Sequence, residues 1–250
     1  MIKIEGKKFD WFGLTQILKE HKGKLRQIRM LSVNELKKKY KGAALGPLWA
    51  LIKPTFTLFI LWFAFEIGLK RNGGVHFING KYTQFVFMLT GYVPWFYISE
   101  CIVGGSRSIR SNKQFVTKLS FPVSNIMTFT SLSGLYIHIL LCAIMYVVLL
   151  CLGFGPSIYN LQFIYYALMM YFFFLVLSWM TAPLSAFSKD FENLINSVIT
   201  GLFWLSGIFW NTYDISPLWL RKLMYFNPIN YFVNGYRTVS YTHLTLPTIA

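Results

Sequence analysis

The feature that most constrains this chain is a run of 70 residues, Leu119 to Ser188, without a single Lys, Arg, Asp or Glu. A soluble domain carries about 25% charged residues, and its core has no use for so long an uncharged stretch. The hydrocarbon core of a bilayer is about 30 Å thick, so a helical span needs roughly 20 apolar residues. The run therefore holds two spans and a turn. The whole chain follows the same trend, with 55% hydrophobic and 13% charged residues in 250. The fold class that follows is all-α, a polytopic helical membrane protein.

Net charge is +15, a value that by itself would suit nucleic acid. Its distribution points elsewhere, and no nucleic-acid partner is expected. Twelve of the 24 basic residues precede position 46, ahead of the first apolar run, and the others sit in short loops. That is juxtamembrane anchoring and orientation. With the N-terminus in the cytoplasm, 17 bases fall on inner segments and 6 on outer ones, which predicts a multi-pass membrane protein with its N-terminus inside. Cys101, Cys142 and Cys151 lack metal-ligand spacing and read as small buried hydrophobes. The basic, polar first 40 residues do not have the pattern of a cleavable signal peptide.

Along the chain, residues 1–45 form a leader. Trp11, Phe12, Ile17, Leu18, Leu25, Ile28 and Leu31 interleave with bases, as in amphipathic helices lying on a membrane surface; a short solvated helix is the plainer alternative. Residues 46–210 hold five spans. The first runs from Gly46 to Gly68, with Pro47 and Pro54 in its first turns and Lys53 free to snorkel. Lys70 to Lys81 is an outer loop. The second span, Thr83 to Val103, contains Pro94. A basic loop, Gly104 to Ser124, carries Arg107, Arg110, Lys113 and Lys118. The third span is Asn125 to Leu152, the fourth Leu161 to Phe187, and the fifth Leu194 to Trp210 after a short inner loop, Ser188 to Asn193.

Residues 211–238 differ. Ser216-Pro217 and Asn227-Pro228 each place a capping residue before a Pro at the first helical position. The two helices they announce are about ten residues long, too short to span, so they are expected to be outer re-entrant or interfacial pieces. The closing run, Val239 to Thr248, reads as a translated sequencing-library adapter. Residues 239–250 are therefore expected to be a non-native tail, with a sixth span missing.

The same residues lack the motifs of catalytic chemistry. A Gly-rich phosphate loop with Lys-Ser/Thr does not occur, nor do His-Glu-x-x-His or Gly-x-Ser-x-Gly. Gly104-Gly105-Ser106-Arg107 lacks the lysine. His138 is the one mid-span ionisable residue, and a packed, hydrogen-bonding role suits it better than a proton relay. Glu66 and Glu100 lie near span ends. A chain of this kind that moves something uphill takes its energy from a partner. The expectation is a transport subunit and not an enzyme, with no cofactor and no metal. Clustered aromatics such as Phe56, Phe59, Trp62, Phe63 and Phe65 are mostly lipid contact and packing.

These residues also carry a resemblance. Leu36-Lys37-Lys38-Lys39-Tyr40-Lys41, then Leu45-Gly46-Pro47-Leu48-Trp49 and Pro54, resembles the approach to the first span in permeases of the polysaccharide and teichoic acid ABC exporters. Gly91-Tyr92-Val93-Pro94-Trp95 with Ser99-Glu100 follows. Ser108-Ile109, Asn112, Lys118 and Phe121-Pro122 come next, then Ser188-Lys189-Asp190, and last Asn227-Pro228-Ile229 with Gly235-Tyr236-Arg237. Five pieces in order cover about Leu36 to Arg237, and the last is most similar to the teichoic acid branch of the family.

The resemblance implies a six-span subunit that forms a homodimer and binds a separate ABC ATPase subunit. It implies a lipid-linked glycan or teichoic acid as cargo. It also implies a cytoplasmic coupling segment, Gly104 to Lys118, whose ATPase-facing residues would be Arg107, Ser108, Arg110 and Asn112; plain positive-inside charge is the alternative. Trp11, Phe12, Lys37, Lys38, Lys39 and Lys41 would face membrane lipid headgroups. Two other functions stand beside this one. A permease of the same class for drugs or small lipids differs only in the family-like motifs. A membrane-embedded glycan transferase would need paired carboxylates, and Glu66, Glu100, Asp190 and Asp214 are scattered over both faces.

Overall fold

The computed structural model describes residues 13–68, 84–119, 121–212 and 215–241. Trp11, Phe12, the expected outer loop Lys70 to Lys81, Asp214 and the run from Thr242 onward lie outside the described residues.

Among the described residues every regular element is helical. The leader gives α1 (Leu14–His21) and α2 (Leu25–Lys39). After a 3-10 turn at Gly46–Leu48 comes α3 (Trp49–Trp62), which loosens into a π-turn at Phe63–Gly68. Then follow α4 (Gln84–Ser111), the short α5 (Lys113–Thr117), α6 (Val123–Cys151), α7 (Gln162–Phe187), α8 (Lys189–Leu205), α9 (Leu218–Tyr225) and α10 (Pro228–Tyr241). Among the described residues, four helical segments are long and apolar enough to cross a bilayer: Gly46–Phe65, Phe85–Ser111, Val123–Cys151 and Ile158–Phe187.

The expected fifth span, Leu194 to Trp210, takes a different form. The helix begins earlier, because Ser188 Oγ accepts from the Asp190 N–H at 3.2 Å and Asp190 and Glu192 occupy the first turn, where the helix dipole favours anions. It also ends earlier, at Leu205. Gly207 sits at φ +65°, a left-handed position that stops a helix. Trp210 folds back and donates from its indole N–H to Trp204 O at 3.0 Å. At 17 residues and 1.5 Å rise, α8 is about 26 Å long, shorter than the hydrocarbon core.

Helix α4 is the axis of the molecule. Most of its spanning window, 78%, is buried, against 17% to 28% for the other three spans. It packs against α6, α7, α10, α8 and α3. The outward faces of α3, α6 and α7 stay bare and apolar, with Phe56, Phe59, Ile139, Val147, Phe172 and Phe173 exposed. In lipid such faces cost nothing, so they leave the close packing to be done by small and polar groups. The α4–α7 seam shows this. A Cβ on Gly105 would overlap Ser178 Oγ and lie 2.7 Å from Ser178 Cβ, so only glycine lets the helices approach. Ser178 Oγ donates to Phe174 O at 2.8 Å and lies 3.2 Å from Cys101 O, while Cys101 Sγ meets Ser131 Oγ of α6 at 3.2 Å. The three cysteines are free thiols.

His138 is fully packed inside α6. Its Nε2 meets the Tyr236 hydroxyl of α10 at 2.6 Å, and the Tyr97 ring lies 5.2 Å away. The side chain is an interhelical link between α6, α4 and α10.

Candidate functional site: a polar platform at the leader end

The C-terminal end of α4, the N-terminus of α6, the C-terminal end of α7 and the start of α8 meet at one end of the bundle, with the leader beside them. The sequence predicts a loop from Gly104 to Ser124. Instead α4 stays helical to Ser111. Two adjacent glycines would weaken an isolated helix, but Gly105 is held by its contact with Ser178, and tertiary packing overrides propensity. The break comes at Asn112 (φ −116°, ψ 30°), followed by α5 and by Pro122, the cap of α6.

Arg107 and Arg110 lie one turn apart on α4 and converge on one carboxylate. Arg107 Nε reaches Glu192 Oε1 at 2.7 Å and Arg110 Nη1 reaches Glu192 Oε2 at 3.2 Å. Arg107 Nη2 also donates to Asn196 Oδ1 at 3.1 Å, one turn further along α8. Arg110 Nη2 donates to Ser185 O, one of the carbonyls at the end of α7. A guanidinium fork suits this multiple recognition, which a lysine would not provide. Glu192 is far less exposed (14%) than Arg107 (45%) or Arg110 (38%).

The two other expected partner-facing residues point inward. Ser108 and Asn112 are each 1% exposed. Asn112 Nδ2 donates to Ser108 O at 3.2 Å, and its Oδ1 accepts from Lys38 Nζ at 3.2 Å. The outward residues at this corner are instead Lys113, Gln114, Lys118 and Leu119 in and beside α5. Phe115 anchors that short helix by packing against Phe121 and Phe129.

The leader docks onto the same platform. Ile28 packs with Ile126, Met127 and Phe129 of α6. Ser32 Oγ donates to the Tyr136 hydroxyl at 3.4 Å, and Ser124 Oγ donates to Glu20 Oε2. His21 Nε2 lies 2.7 Å from Thr128 Oγ1, with the Trp179 ring of α7 edge-on at 5.9 Å. Lys39 Nζ meets Glu100 Oε1 of α4 at 2.5 Å. Tyr40 is buried beside this pair; burial pushes its phenol above the ordinary value, Lys39 opposes that and Glu100 adds to it. Of the four lysines expected at lipid headgroups, Lys38 and Lys39 are therefore engaged within the chain. Lys37 and Lys41 are exposed.

The remaining motif residues are architectural. Gly46 (φ +49°) opens the turn before α3, Trp49 is its first residue, and Pro54 is buried within it. Pro94 and Trp95 lie in the middle of α4, where Trp95 packs against Phe203 of α8 at 5.4 Å. Asn227 caps α10 by accepting from the Ile229 N–H at 3.0 Å, and Pro228 is the first helical residue, as the sequence predicts. For α9 the pattern shifts by one, and Pro217 occupies the cap position itself.

Sequence reading missed Glu192 and gave Glu100 no purpose beyond its place near a span end. One signal was available for Glu192: an acidic first turn, Asp190 to Glu192, on the same side of the membrane as the bases at 107–118.

Residues 26–241 match the sequence model of the family described as ABC-2 type transporter. The chain is similar to the O-antigen export system permease protein RfbA of Myxococcus xanthus, 25% identical over 210 residues, covering 84% of this chain and 78% of the relative. It is also similar to two proteins of that name from Klebsiella pneumoniae. One is 26% identical over 235 residues, 87% of this chain and 83% of the relative; the other is 26% identical over 216 residues, 83% and 77% respectively.

Proposed function

The chain belongs to the ABC-2 type transporter family, and from that premise we propose that it is the permease subunit of an ATP-driven exporter of a lipid-linked polysaccharide or teichoic acid. Its energy comes from a separate ABC ATPase subunit, its leader lies on the cytoplasmic face, and it works as a homodimer. The observation that carries this reading is the leader-end platform. It joins an exposed basic helix, α5, through the α4 extension and the Arg107/Arg110–Glu192 pairs, to α7 and α8. A push on α5 from an ATPase is thereby passed to α4, α7 and α8 at once.

The relatives named as O-antigen export permeases support a polymeric glycan as cargo, and the closing Asn227-to-Arg237 wording supports the teichoic acid branch. The bare apolar face of α3 and its π-turn, with Phe56, Phe59 and Phe63, suits a second copy. Binding shifts a two-state permease only through its differential affinity for the two states. ATP-driven closure of the partner must therefore favour one arrangement of the platform over the other.

The test is reconstitution of the chain with its ATPase in vesicles holding a lipid-linked glycan or a lipid-linked teichoic acid. ATP-dependent movement of one of them is the expected result. Nucleotide hydrolysis by the purified chain alone, or equal movement without the ATPase, would overturn the reading.

A further inference from the structure

The motif Asn227 to Arg237 has no role in the platform, because it lies at the other end of the bundle. Asn227, Asn230, Asn234 and Arg237 recur at spacings of three, four and three, which places them on one face at and along α10. Each reaches a neighbouring segment or the next member of the row. Asn227 Nδ2 donates to Ser206 Oγ at 3.0 Å, just past the end of α8. Asn230 Nδ2 donates to Met224 O of α9 at 3.1 Å. Asn234 Nδ2 donates to Asn230 Oδ1 at 3.0 Å and to Thr212 Oγ1 at 3.3 Å.

Arg237 closes the row, and it is 5% exposed. Its Nη1 donates to Gly207 O at 2.7 Å and Asn234 Oδ1 at 3.2 Å. Its Nη2 donates to Ile208 O at 2.5 Å and lies 3.4 Å from Phe87 O. The guanidinium also stacks on the Phe87 ring, 3.5 Å from its centroid. The site is shaped for it from both sides. A Cβ on Gly91 of α4 would lie 2.5 Å from Arg237 Nη2, so glycine leaves the slot open. Gly207, in its left-handed conformation, turns two successive carbonyls toward the charge.

One buried cation thus joins three elements: α10, the turn that ends α8, and the first turns of α4. A guanidinium can do this because its donors lie in a rigid fork. We propose that Arg237 is a positioning residue that latches the end of α8 to α4, and that α8 separates from α4 at this end only when the guanidinium exchanges its carbonyl partners. The proposal goes beyond the export reading, since it concerns where α8 parts from α4 and not what passes between the helices.

The test introduces a cysteine at Ile208, which is fully buried against the latch. The full chain in lipid nanodiscs is exposed to a small maleimide, and labelling is read residue by residue by mass spectrometry. Native Cys101, buried in the α4–α7 seam, serves as the internal reference. In the Arg237 background, I208C labels slowly. With Arg237→Gln its rate rises at least tenfold while that of Cys101 stays put; with Arg237→Lys, which keeps the charge but loses the fork, the rise is smaller. Gly91→Ala displaces the guanidinium from the α4 side with Arg237 intact and gives the same rise, so it decides the matter if Arg237→Gln does not fold. Unchanged I208C labelling in the folded variants overturns the proposal. So does a parallel rise at Cys101, which would mean general loosening. The readout needs neither cargo nor ATPase, so its failure leaves the export reading standing.

Discussion

Arg107 Nε lies 2.7 Å from Glu192 Oε1, and this ion pair ties the last turns of α4 to the first turn of α8. Both arginines are more than a third exposed, so water screens much of the attraction. Removing the pair in a double-mutant cycle (Arg107→Ala, Glu192→Ala) is expected to give a coupling energy of only about 0.5 kcal/mol, measured by denaturation in detergent. Export should suffer far more than stability, because Glu192→Ala frees α8 from the α4 extension. A coupling near zero with normal export would remove Glu192 from the mechanism.

The burial of Ser108 and Asn112 leaves the α5 corner as the surface proposed to meet an ATPase. Reversing Arg107 and Arg110 would confound partner binding with loss of Glu192. Lys113→Glu with Lys118→Glu, on the exposed α5 corner, has no such defect. The double variant should insert normally, lose co-purification with the ATPase and lose ATP-dependent export. Retained association would move the docking surface away from α5.

Gly105 sets the distance between α4 and α7. Gly105→Ala drives a methyl into Ser178 and is expected to cost about 1–3 kcal/mol, the range for overpacking. Ser178→Gly in the same chain removes the obstructing atoms and should restore part of the loss. The measurement is the melting temperature in detergent of the two single variants and the double. Additive losses would show that the two residues do not meet.

How much of this could be read from sequence depends on which physics was in play. The spans of α3, α4, α6 and α7 were legible because lipid demands long uncharged runs. The Asn227-Pro228 start of α10 was legible because capping is local. The α4 extension through Gly104-Gly105 was not, since only the distant Ser178 makes glycine useful there. The early end of α8 was missed for a related reason: hydropathy runs on through Phe209 and Trp210, and the stop is a backbone conformation at Gly207. Among the proposed site residues, Arg107 and Arg110 stand out by charge and family wording. Their carboxylate, Glu192, lies more than 80 positions away in sequence, and no local pattern joins them. Ser108 and Asn112 were placed facing outward because a loop has no buried side, whereas a helix does.

His138 and Tyr236 share a hydrogen bond of 2.6 Å across α6 and α10. Interhelical hydrogen bonds in membranes are worth about 0.6 kcal/mol on average and about 1.7 at most. Tyr236→Phe should lower stability by about that average and leave export running. Collapsing the proton gradient with an uncoupler, while ATP is clamped, should not slow export in either protein, because a His138 that serves to link helices relays no proton across the membrane. Export that stops with the uncoupler would make His138 a relay after all.

The leader separates its lysines by task. Lys39 holds Glu100 and Lys38 holds Asn112, while Lys37 and Lys41 point outward from the same two turns. A surface lysine near an anionic membrane contributes about 1 kcal/mol of attraction, screened within a Debye length. Replacing Lys37 and Lys41 with Gln should therefore weaken the stabilisation of the protein by anionic over neutral lipid nanodiscs, and the difference should shrink as salt rises. Replacing Lys38 and Lys39 should act differently. It loosens α2 from α4, raises amide exchange in α2, and does so equally in neutral lipid. If both pairs responded to lipid charge alike, the Lys39–Glu100 bond would not be holding the leader, and α2 would be attached chiefly through its contacts with α6 at Ile28 and Ser32.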